Sequence, residues 1–526
     1  MSRRLKHRAG QLGLLTALAA LLWLVASCGG GASTGTTASS AASAPRSGGD
    51  VVFARTGDVL SLDPTAIADN LSIWVEEQIF QTLFTVNNNG IGVHPTLVTG
   101  FTLSADKLTW TFPLKPGIKF SNGQPLTAQD VAFSLNRARK STHGLGYIDA
   151  AIKSVTAQGT STVVVRTKYP WAPLLADLSL FTNGIYPANF GGASESAFFQ
   201  HPIGTGPFTF ASWTKGQALK VVRNPDYWET GKPYLNSVTF TNVPDDNTRS
   251  LQLQGGQCQI DMSPPFSAVN TLKAKPGIVV KLFPSTRVDM ILMNEQYAPL
   301  KDVHVRRAIN YAIDRSALVK AILFGNGQPA NSYMPPTLIY YDPSLPPQTQ
   351  DLTKAKQELA ASGYAKGFNL QFLTDNLTGD MAVAQIMQQA LQPLGIKVSV
   401  RTIDVNQLFT TQGKGDYQMS IDYWTMDIPD PDENTEFFLS PAGGGNSYFT
   451  HYDNPQMTAM VTQAAKQFDT TKRAQLYKQI QQLAVSDLPQ LYLYYSPYPY
   501  AYSSKVHGFL ATPLGNMHME DVWLSQ

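Results

Sequence analysis

The chain has 526 residues, which is long enough for two or three domains and an ample hydrophobic core. Hydrophobic residues make up 43% of it and charged residues 15%, which is typical of a globular protein somewhat poor in charge. The formal net charge is only +2, and this value argues against a protein that binds nucleic acid.

The first 28 residues are typical of the export signal of a bacterial lipoprotein. Four basic residues precede an apolar run at 12–25, which is too short for a comfortable membrane span. The run ends in the sequence VASC at 25–28, which resembles a lipobox, so we expect Cys28 to be lipidated and to become the mature N-terminus. The alternative is an ordinary signal peptide with a chance cysteine. Without the four basic residues the chain has 36 basic and 38 acidic residues, a net charge of −2.

Residues 29–49 are rich in Gly, Ser, Thr and Ala and carry a single charge, Arg46. Such a segment buries too little apolar surface to fold, so we expect a flexible tether that holds the protein at the outer face of the membrane. Once Cys28 is lipidated, Cys258 is the remaining cysteine, which excludes an internal disulfide. We expect Cys258 to be a small buried residue.

The folded part is expected to begin at Asp50. The pattern predicts a strand at 51–55, a helix at 70–84 and further strands at 108–114 and 162–168. A helix is predicted over 127–140, with Thr127 as its cap and Asp130 three residues on. The sequence GTGP at 204–207 predicts a sharp turn where the chain returns from one domain to another.

The second half has a clearer α/β pattern. Helices are predicted at 305–312 and 316–323, with Asp314 as the cap of the second. A strand at 369–374, a helix at 381–391 and a strand at 396–403 form a βαβ unit, which implies a parallel pair with a right-handed crossover. A short helix after Asp404 leads to a strand at 417–423. Asn454-Pro455 opens another helix, and a further helix ends at Leu488-Pro489 before a strand at 491–496.

The strand at 417–423 leads into Trp424 and then into an acidic, proline-punctuated loop at 427–433. The glycines at 443–445 leave room for close approach of another backbone. An aromatic residue and the carboxylate of Asp427 at the carboxyl end of a strand lie where open α/β sheets place their ligands. This predicts recognition of a cationic, partly apolar ligand. The alternatives are that Asp427 caps a turn and that Trp424 belongs to the core.

A set of longer motifs recurs in a fixed order over nearly the whole mature chain. It consists of LDP at 62–64, LKPGIKFSNGQPLTAQDVAFSLNRA at 114–138, GTGPF at 204–208, RNPDYW at 223–228, VRRAINYAIDR at 305–315, WTMD at 424–427 and the NPQM region at 454–457. The set resembles the bacterial extracytoplasmic solute-binding proteins of family 5, the oligopeptide/dipeptide/nickel class that serves ABC importers.

This resemblance implies an α/β fold of the periplasmic-binding-protein type with two lobes (type II, cluster C) and an extra domain inserted in the first lobe. The lobes are expected to close on the ligand by hinge motion, in a monomer that has no cofactor and delivers its ligand to the permease subunits of an importer. The implied domains are the first lobe at 50–85, 204–284 and 497–526, the inserted subdomain at 86–203, and the second lobe at 285–496.

The resemblance also implies the ligand-binding residues. In peptide-binding members the aspartate of the W-x-x-D motif pairs with the α-ammonium of the ligand, and the strand that carries it bonds the peptide main chain. Carried over by position, Asp427 pairs with the ammonium. The other expected contacts are Tyr423, Trp424 and Thr425 of the second lobe, Ala68, Asp69 and Asn70 of the first lobe, and Asn446.

Dipeptide-specific members pair the ligand carboxylate with an arginine near the βαβ unit of the second lobe. The segment 368–400 contains no arginine, and its one cation, Lys397, sits at a strand start. We therefore expect a longer peptide or, as an alternative, another amine-bearing solute or a metal chelate.

A secreted hydrolase is the alternative from another functional class. The sequence GASTG at 31–35 matches the hydrolase pattern G-x-S-x-G but lies in the tether, and GNGQPA at 325–330 mimics a dinucleotide motif after a helix. The acidic cluster at 427–433 could pair carboxylates for glycoside hydrolysis. His518, between two methionines, hints at soft-metal binding, although a single histidine is better explained by surface placement, and no metal site is expected.

Overall fold

The computed structural model describes residues 44–142 and 145–526. Within these two ranges, no helix is long and apolar enough to cross a membrane. The expected export signal, Cys28 and most of the expected tether lie outside the described residues. The end of the predicted tether belongs to the folded body, because the Gly48 amide donates to the carbonyl of Tyr234 (2.7 Å) and the Gly49 carbonyl accepts from Asn236 (2.8 Å).

The strands of the described chain form two large sheets, one four-stranded sheet and two short pairs. In chain order they are β1 (Asp50–Arg55), β2 (Phe84–Val86), β3 (Val93–Pro95), β4 (Thr102–Leu103), β5 (Thr109–Pro113), β6 (Ile152–Gln158), β7 (Thr162–Thr167), β8 (Phe208–Thr214), β9 (Ala218–Arg223), β10 (Ser237–Asn242), β11 (Ile260–Met262), β12 (Ile278–Phe283), β13 (Val288–Met293), β14 (Gln328–Pro329), β15 (Asn369–Asp375), β16 (Lys397–Ile403), β17 (Met419–Trp424), β18 (Gln490–Tyr495), β19 (Tyr498–Ser503), β20 (Val506–His507) and β21 (Trp523–Leu524).

The α-helices are concentrated in the second half. They are α1 (Asn70–Glu76), α2 (Ala128–Ala138), α3 (Leu174–Asp177), α4 (Glu195–Phe198), α5 (Asp246–Gln254), α6 (Val269–Lys273), α7 (Ala298–Lys301), α8 (Val303–Ala312), α9 (Arg315–Ile322), α10 (Leu352–Ala361), α11 (Thr378–Leu391), α12 (Val405–Gly413), α13 (Asp432–Leu439), α14 (Pro455–Lys466) and α15 (Thr470–Asp487).

The first large sheet has the strand order β12-β19-β11-β1-β10-β9-β8. Its strands come from three separate stretches of the chain, all inside the ranges expected for the first lobe. Strand β1 is central and pairs in parallel with β10 and β11, and the other pairs are antiparallel. The predicted strand at 51–55 is confirmed, while the domain limits themselves remain a prediction.

The second large sheet has the order β14-β18-β13-β17-β15-β16. All six residues of β13 are buried at its centre. Strand β15 runs parallel to both β16 and β17, and α11 connects β15 to β16, which confirms the predicted βαβ unit. The cap predicted for α9 is also confirmed, because the Asp314 carboxylate accepts a hydrogen bond from the amide of Ala317 (2.9 Å).

A four-stranded antiparallel sheet, β4-β5-β7-β6, lies within the range expected for the inserted subdomain. Helix α2 packs against it and begins as predicted, because the Thr127 amide donates to the carboxylate of Asp130 (2.8 Å). The range expected for the inserted subdomain also contacts the range expected for the second lobe. The Ala172 amide donates to the carbonyl of Ala465 (2.8 Å), and Trp110 lies 6.1 Å from Phe468 between ring centres.

Two short segments connect the large sheets, one between β12 and β13 and the other between β18 and β19. They are bonded to each other, since the Ser285 hydroxyl donates to the carbonyl of Ser496. The Thr286 amide donates to Pro513 (2.8 Å), and the Thr286 hydroxyl accepts from the amide of Met426 (2.9 Å). The second of these bonds ties the connection directly to the loop that follows β17.

Two predicted elements differ from the structure. The helix predicted over 70–84 ends at Glu76, because the carbonyls of Gln78 and Ile79 accept hydrogen bonds from Phe208 (3.0 Å) and Gly206 (2.9 Å) of the GTGPF motif. A Cβ on Gly204 would lie 2.0 Å from the Ile79 oxygen, so the motif needs glycine for this close approach. The segment predicted as an acidic loop becomes helical from Asp432 onward, as α13.

Candidate functional site

The candidate site lies at the carboxyl end of β17, in the middle of the second sheet. Strand β17 pairs antiparallel with β13, and Trp424 lies opposite Val288. Because β15 is parallel to β17, both strands end at the same edge of the sheet. This is the edge at which open α/β sheets present their ligand-binding loops. Trp424 and Asp427 thus lie at this edge of the sheet, and their function in ligand binding remains a prediction.

Trp424 is partly buried in an aromatic cluster. Its ring centre lies 4.9 Å from that of Phe437, 5.2 Å from Tyr448 and 5.5 Å from Phe438. Its indole nitrogen donates to the Glu433 carboxylate (3.2 Å). Trp424 is thus fixed in place by the second lobe, and it forms part of the wall beneath the loop.

Glu433 sets the shape of the loop. Its Oε2 accepts hydrogen bonds from the backbone amides of Asp427 (2.9 Å) and Ile428 (3.0 Å), and its Oε1 accepts the Trp424 bond. Burial raises the pKa of Glu433 to about 7 even though these bonds oppose the shift. With both oxygens engaged inside the protein, Glu433 serves the loop rather than a ligand.

Asp430 and Arg473 fix the other end of the loop. The two Arg473 nitrogens donate to the two Asp430 oxygens at 2.6 and 2.8 Å, and both side chains are buried. Asp430 also accepts from the amide of Asp432 (2.9 Å) at the start of α13. A carboxylate that pairs with a guanidinium in this two-bond geometry is held firmly.

Asp427 differs from its neighbours. Its carboxylate is partly buried and forms no hydrogen bond or ion pair with any residue of the ranges 44–142 and 145–526. Burial, followed by the charges of Glu433 and Glu77, raises the pKa of Asp427 well above its ordinary value. A cation placed beside it would reverse that shift, because an opposite charge favours the ionised carboxylate.

The charge of Asp427 acts on two tyrosines from outside the range expected for the second lobe. The ring of Tyr147, from the inserted subdomain, stacks on Phe437 with 5.6 Å between ring centres. Burial, and then the charges of Glu433, Asp427 and Glu436, raise the pKa of Tyr147. The hydroxyl of Tyr498 is buried without a partner in the described chain, and Asp427 is among the charges that act on its pKa. Asp427 therefore lies within electrostatic range of the segments that carry Tyr147 and Tyr498.

Tyr423 packs against an arginine that the sequence pattern does not assign to the site. The guanidinium of Arg287 lies 3.7 Å from the ring centre of Tyr423, and 46% of Tyr423 is exposed. Arg287 also donates to Asp289, with the shortest bond at 2.6 Å. Burial alone would lower the pKa of Arg287, but Asp289 raises it above its ordinary value. Arg287 lies outside the segment 368–400, near which the resemblance places the arginine of dipeptide-specific members, so the sequence pattern did not indicate it.

The predicted first-lobe residues lie at the beginning of α1. Ala68 is exposed, Asp69 caps the helix by accepting from the amide of Ser72 (2.9 Å), and Asn70 is its first residue. The α1 residue whose charge reaches Asp427 is Glu77, just past the other end of the helix. The capping function of Asp69 explains its identity without a ligand.

The structure does not bring Asn446 to this edge. Its side chain hydrogen-bonds His451, whose ring also bonds Gln296 (3.2 Å). Gln296 follows the end of β13 that pairs with Met419, the first residue of β17, whereas Trp424 is its last. The Asn446 side chain is therefore bonded towards the opposite end of the strand, and its inclusion in the site remains a prediction.

Comparison with known proteins identifies the family. The family model for bacterial extracellular solute-binding proteins, family 5, matches residues 92–446, which is more than half of the chain. The chain belongs to this family. A glutathione-binding protein, GsiB of Shigella dysenteriae, is 30% identical over 98% of this chain and 99% of its own length.

Solved structures of the family share the fold. The periplasmic binding protein DppA of Helicobacter pylori, in complex with the peptide STSA, has a TM-score of 0.83 and 27% identity over 91% of this chain and 99% of its own. The oligopeptide-binding protein AppA of Bacillus subtilis, in complex with a nonapeptide, has a TM-score of 0.80 and 25% identity over 92% and 100%. The predicted two-lobe α/β fold and the predicted family are confirmed.

These relatives are binding proteins for glutathione or peptides, and DppA is a periplasmic binding protein associated with an ABC transporter. The hydrolase alternative gains nothing from the geometry, because Glu433, one of the carboxylates it needs, is engaged by backbone amides. The hydrolase motif at 31–35 lies outside the described residues.

Proposed function

We propose that this chain is the lipid-anchored receptor of an ABC importer and captures a peptide by its α-ammonium between the two lobes. The observation that carries the proposal is the Asp427 carboxylate, which is partly buried, has no partner in the described chain and lies within electrostatic range of Tyr147 and Tyr498. The peptide-bound relatives support the ligand class.

The electrostatics of the site favour a cation at Asp427. Glu433 and Glu77 add negative charge to its surroundings, and burial disfavours an unpaired carboxylate. An ammonium would relieve both effects with a charge-assisted hydrogen bond in a site that excludes water. The exposed end of β17 offers main-chain groups to the peptide beside it.

The arrangement of cations around the site favours a peptide longer than a dipeptide. Arg287 is the cation at Tyr423, but its charge is already matched by Asp289. The segment 368–400 supplies no arginine, so a short ligand would find no free cation there for its carboxylate. In a longer peptide the carboxylate lies farther from Asp427 and needs no partner at this edge.

Replacing Asp427 by asparagine tests the proposal, because the shape is kept and the charge is removed. Native mass spectrometry of freshly purified protein first identifies the co-purified peptide. Calorimetry should then show binding weakened by on the order of thirty-fold to several-thousand-fold, the equivalent of about 2–5 kcal/mol. N-acetylation of the same peptide should weaken wild-type binding similarly and add little to the variant's defect.

Asp453→Asn is the matched control. Because Asp453 is exposed, this variant should bind the peptide as tightly as wild type. If Asp427→Asn also binds the peptide like wild type, Asp427 does not hold the ammonium, and the ligand class must be sought among neutral or anionic solutes.

The lipid anchor is tested separately. A lipidated Cys28 gains about 0.8 kcal/mol for each buried methylene of its acyl chains, which is enough with two or three chains to hold the protein at the membrane. Cys28→Ala should release the protein or leave it unprocessed. Unchanged mass and membrane fractionation would rule the anchor out without affecting the ligand-binding proposal.

A further inference from the structure

A further cavity, of about 560 Å³, is lined by none of the peptide-binding residues proposed above, although the charge of its wall residue Glu77 acts on Asp427. It is bounded by the end of α1, the β2–β3 hairpin and the last segment of the chain at 516–521. Its volume is within the range of pockets that hold small molecules. Phe80, Phe181 and Trp228 supply apolar wall.

Several charges on the cavity wall neutralise one another. Lys232 pairs with Glu229 (3.1 Å) and Asp521 (2.7 Å), and the Nδ1 of His518 pairs with Glu520 (3.2 Å). His518 is thus a half-buried member of this wall, which corrects the surface placement favoured by the sequence. These pairs account for one side of the cavity.

Two adjacent carboxylates at the end of α1, Glu76 and Glu77, form no ion pair in the described chain, although the charge of His518 acts on Glu77 and that of Arg137 acts on Glu76. Glu76 is only 1% exposed, and neither of its carboxylate oxygens has a hydrogen-bond partner in the described part of the chain. Glu77 accepts from the Asn516 amide through Oε1, and its Oε2 is buried without a partner. Burial raises the pKa of Glu77 to about 7 and that of Glu76 well above its ordinary value.

Buried carboxylate oxygens in native proteins are nearly always bonded, and leaving them unpaired is costly. We propose that this cavity binds a small organic cation, an ammonium or guanidinium group on a short apolar body, whose charge pairs with Glu76 and Glu77. The aromatic walls would enclose the carbon skeleton. The Nε2 of His518, also buried without a partner in the described chain, can bond a further polar group of the ligand.

An organic cation fits this cavity better than a metal ion. In the ranges 44–142 and 145–526 no group of three or more His, Cys, Asp or Glu side chains is arranged to hold a metal. The apolar wall would leave part of a metal ion's coordination shell unfilled, whereas an ammonium needs only hydrogen-bond acceptors on one side.

Calorimetry with benzylamine, benzyl alcohol and benzoate tests the proposal. Benzylammonium should bind at a single saturable site, and the neutral and anionic analogues should not. Glu77→Gln keeps the shape and should weaken benzylammonium binding at least about tenfold. Glu358→Gln is the matched control, because Glu358 pairs with His304 on the second lobe and lies far from the cavity.

Equal binding of benzyl alcohol, or no saturable binding of benzylammonium, would overturn the proposal. Loss of binding in Asp427→Asn but not in Glu77→Gln would also overturn it, because the probe would then sit in the peptide cleft. If Glu77→Gln does not fold, crystals soaked in para-bromobenzylamine decide the question. A bromine anomalous peak in the cavity supports the site, and a peak elsewhere or no peak overturns it.

Discussion

The loop at 427–433 of the second lobe and helix α1 of the first lobe both bury several carboxylates, but they treat them differently. In the loop, Asp430 is bonded by Arg473, and Glu433 is bonded by two backbone amides and an indole. Of these three carboxylates, Asp427 alone has no bonding partner in the described chain. At α1, Asp69 caps the helix, while Glu76, its last residue, keeps both carboxylate oxygens without a hydrogen-bond partner.

The difference separates carboxylates that stabilise the structure from carboxylates that have no partner in the described chain. Asp430, Glu433 and Asp69 each accept hydrogen bonds from groups of the same chain, and these bonds fix a loop or a helix start. Asp427, Glu76 and Glu77 have charge or oxygens that the described chain leaves unmatched. A ligand could satisfy the oxygens of the second group where the described chain does not, and Asp69 also keeps one buried oxygen, Oδ2, without a partner.

The largest effect is expected from removing the cation that holds the loop. Arg473→Met leaves Asp430 buried and unpaired, so the free energy of unfolding should fall by about 3–5 kcal/mol. Urea unfolding followed by tryptophan fluorescence measures the loss. Adding Asp430→Leu should recover much of it, because an apolar pair avoids the uncompensated charge. If Arg473→Met alone is as stable as wild type, Asp430 is not a structural carboxylate.

The second prediction concerns pH and the buried glutamates of both regions. Glu433 and Glu77 each have a pKa raised from 4.5 to about 7, so the folded protein holds their protons over a range in which the unfolded chain has lost them. Stability should therefore fall as pH rises from about 4.5 to about 7, by up to about 1.4 kcal/mol per pH unit for each group.

Urea unfolding across this pH range checks the slope. Glu433→Gln should make it shallower by removing one titrating group, and Glu77→Gln should do the same in the other lobe. Asp453→Asn serves as the exposed control. A slope that stays the same in both glutamine variants would assign the pH dependence to other groups.

Much of the fold could be predicted because its signals are local or ordered along the chain. The βαβ unit at 369–403 follows from hydrophobic periodicity, and the caps Asp314 and Thr127 lie within three residues of the amides or carboxylates they bond. The ordered motifs then identify the family and its two lobes. The position of Asp427 at a strand end was likewise readable from the sequence.

The surroundings of Asp427 could not be predicted, because they depend on contacts between distant segments. Tyr147 and Tyr498 belong to no motif and reach Asp427 only through the fold. Helix α1 stops early because the carbonyl of Ile79 bonds to Gly206, more than a hundred residues away. The glutamates at its end appeared as ordinary helix residues, and the cavity they line had no sequence signal.

The smallest effect is expected at Asp69. The family resemblance assigns this residue to the ligand, whereas the geometry assigns it to the helix cap. Asp69→Ala removes the bond to the Ser72 amide and should lower the free energy of unfolding by about 0.5–2 kcal/mol. Asp69→Asn keeps a capping oxygen and removes the charge, so its stability should stay near that of wild type. If Asp69 is only a cap, the asparagine variant should also bind the co-purified peptide as tightly as wild type by calorimetry. Weaker peptide binding in Asp69→Asn, at unchanged stability, would instead place Asp69 with Asp427 among the carboxylates that meet the ligand.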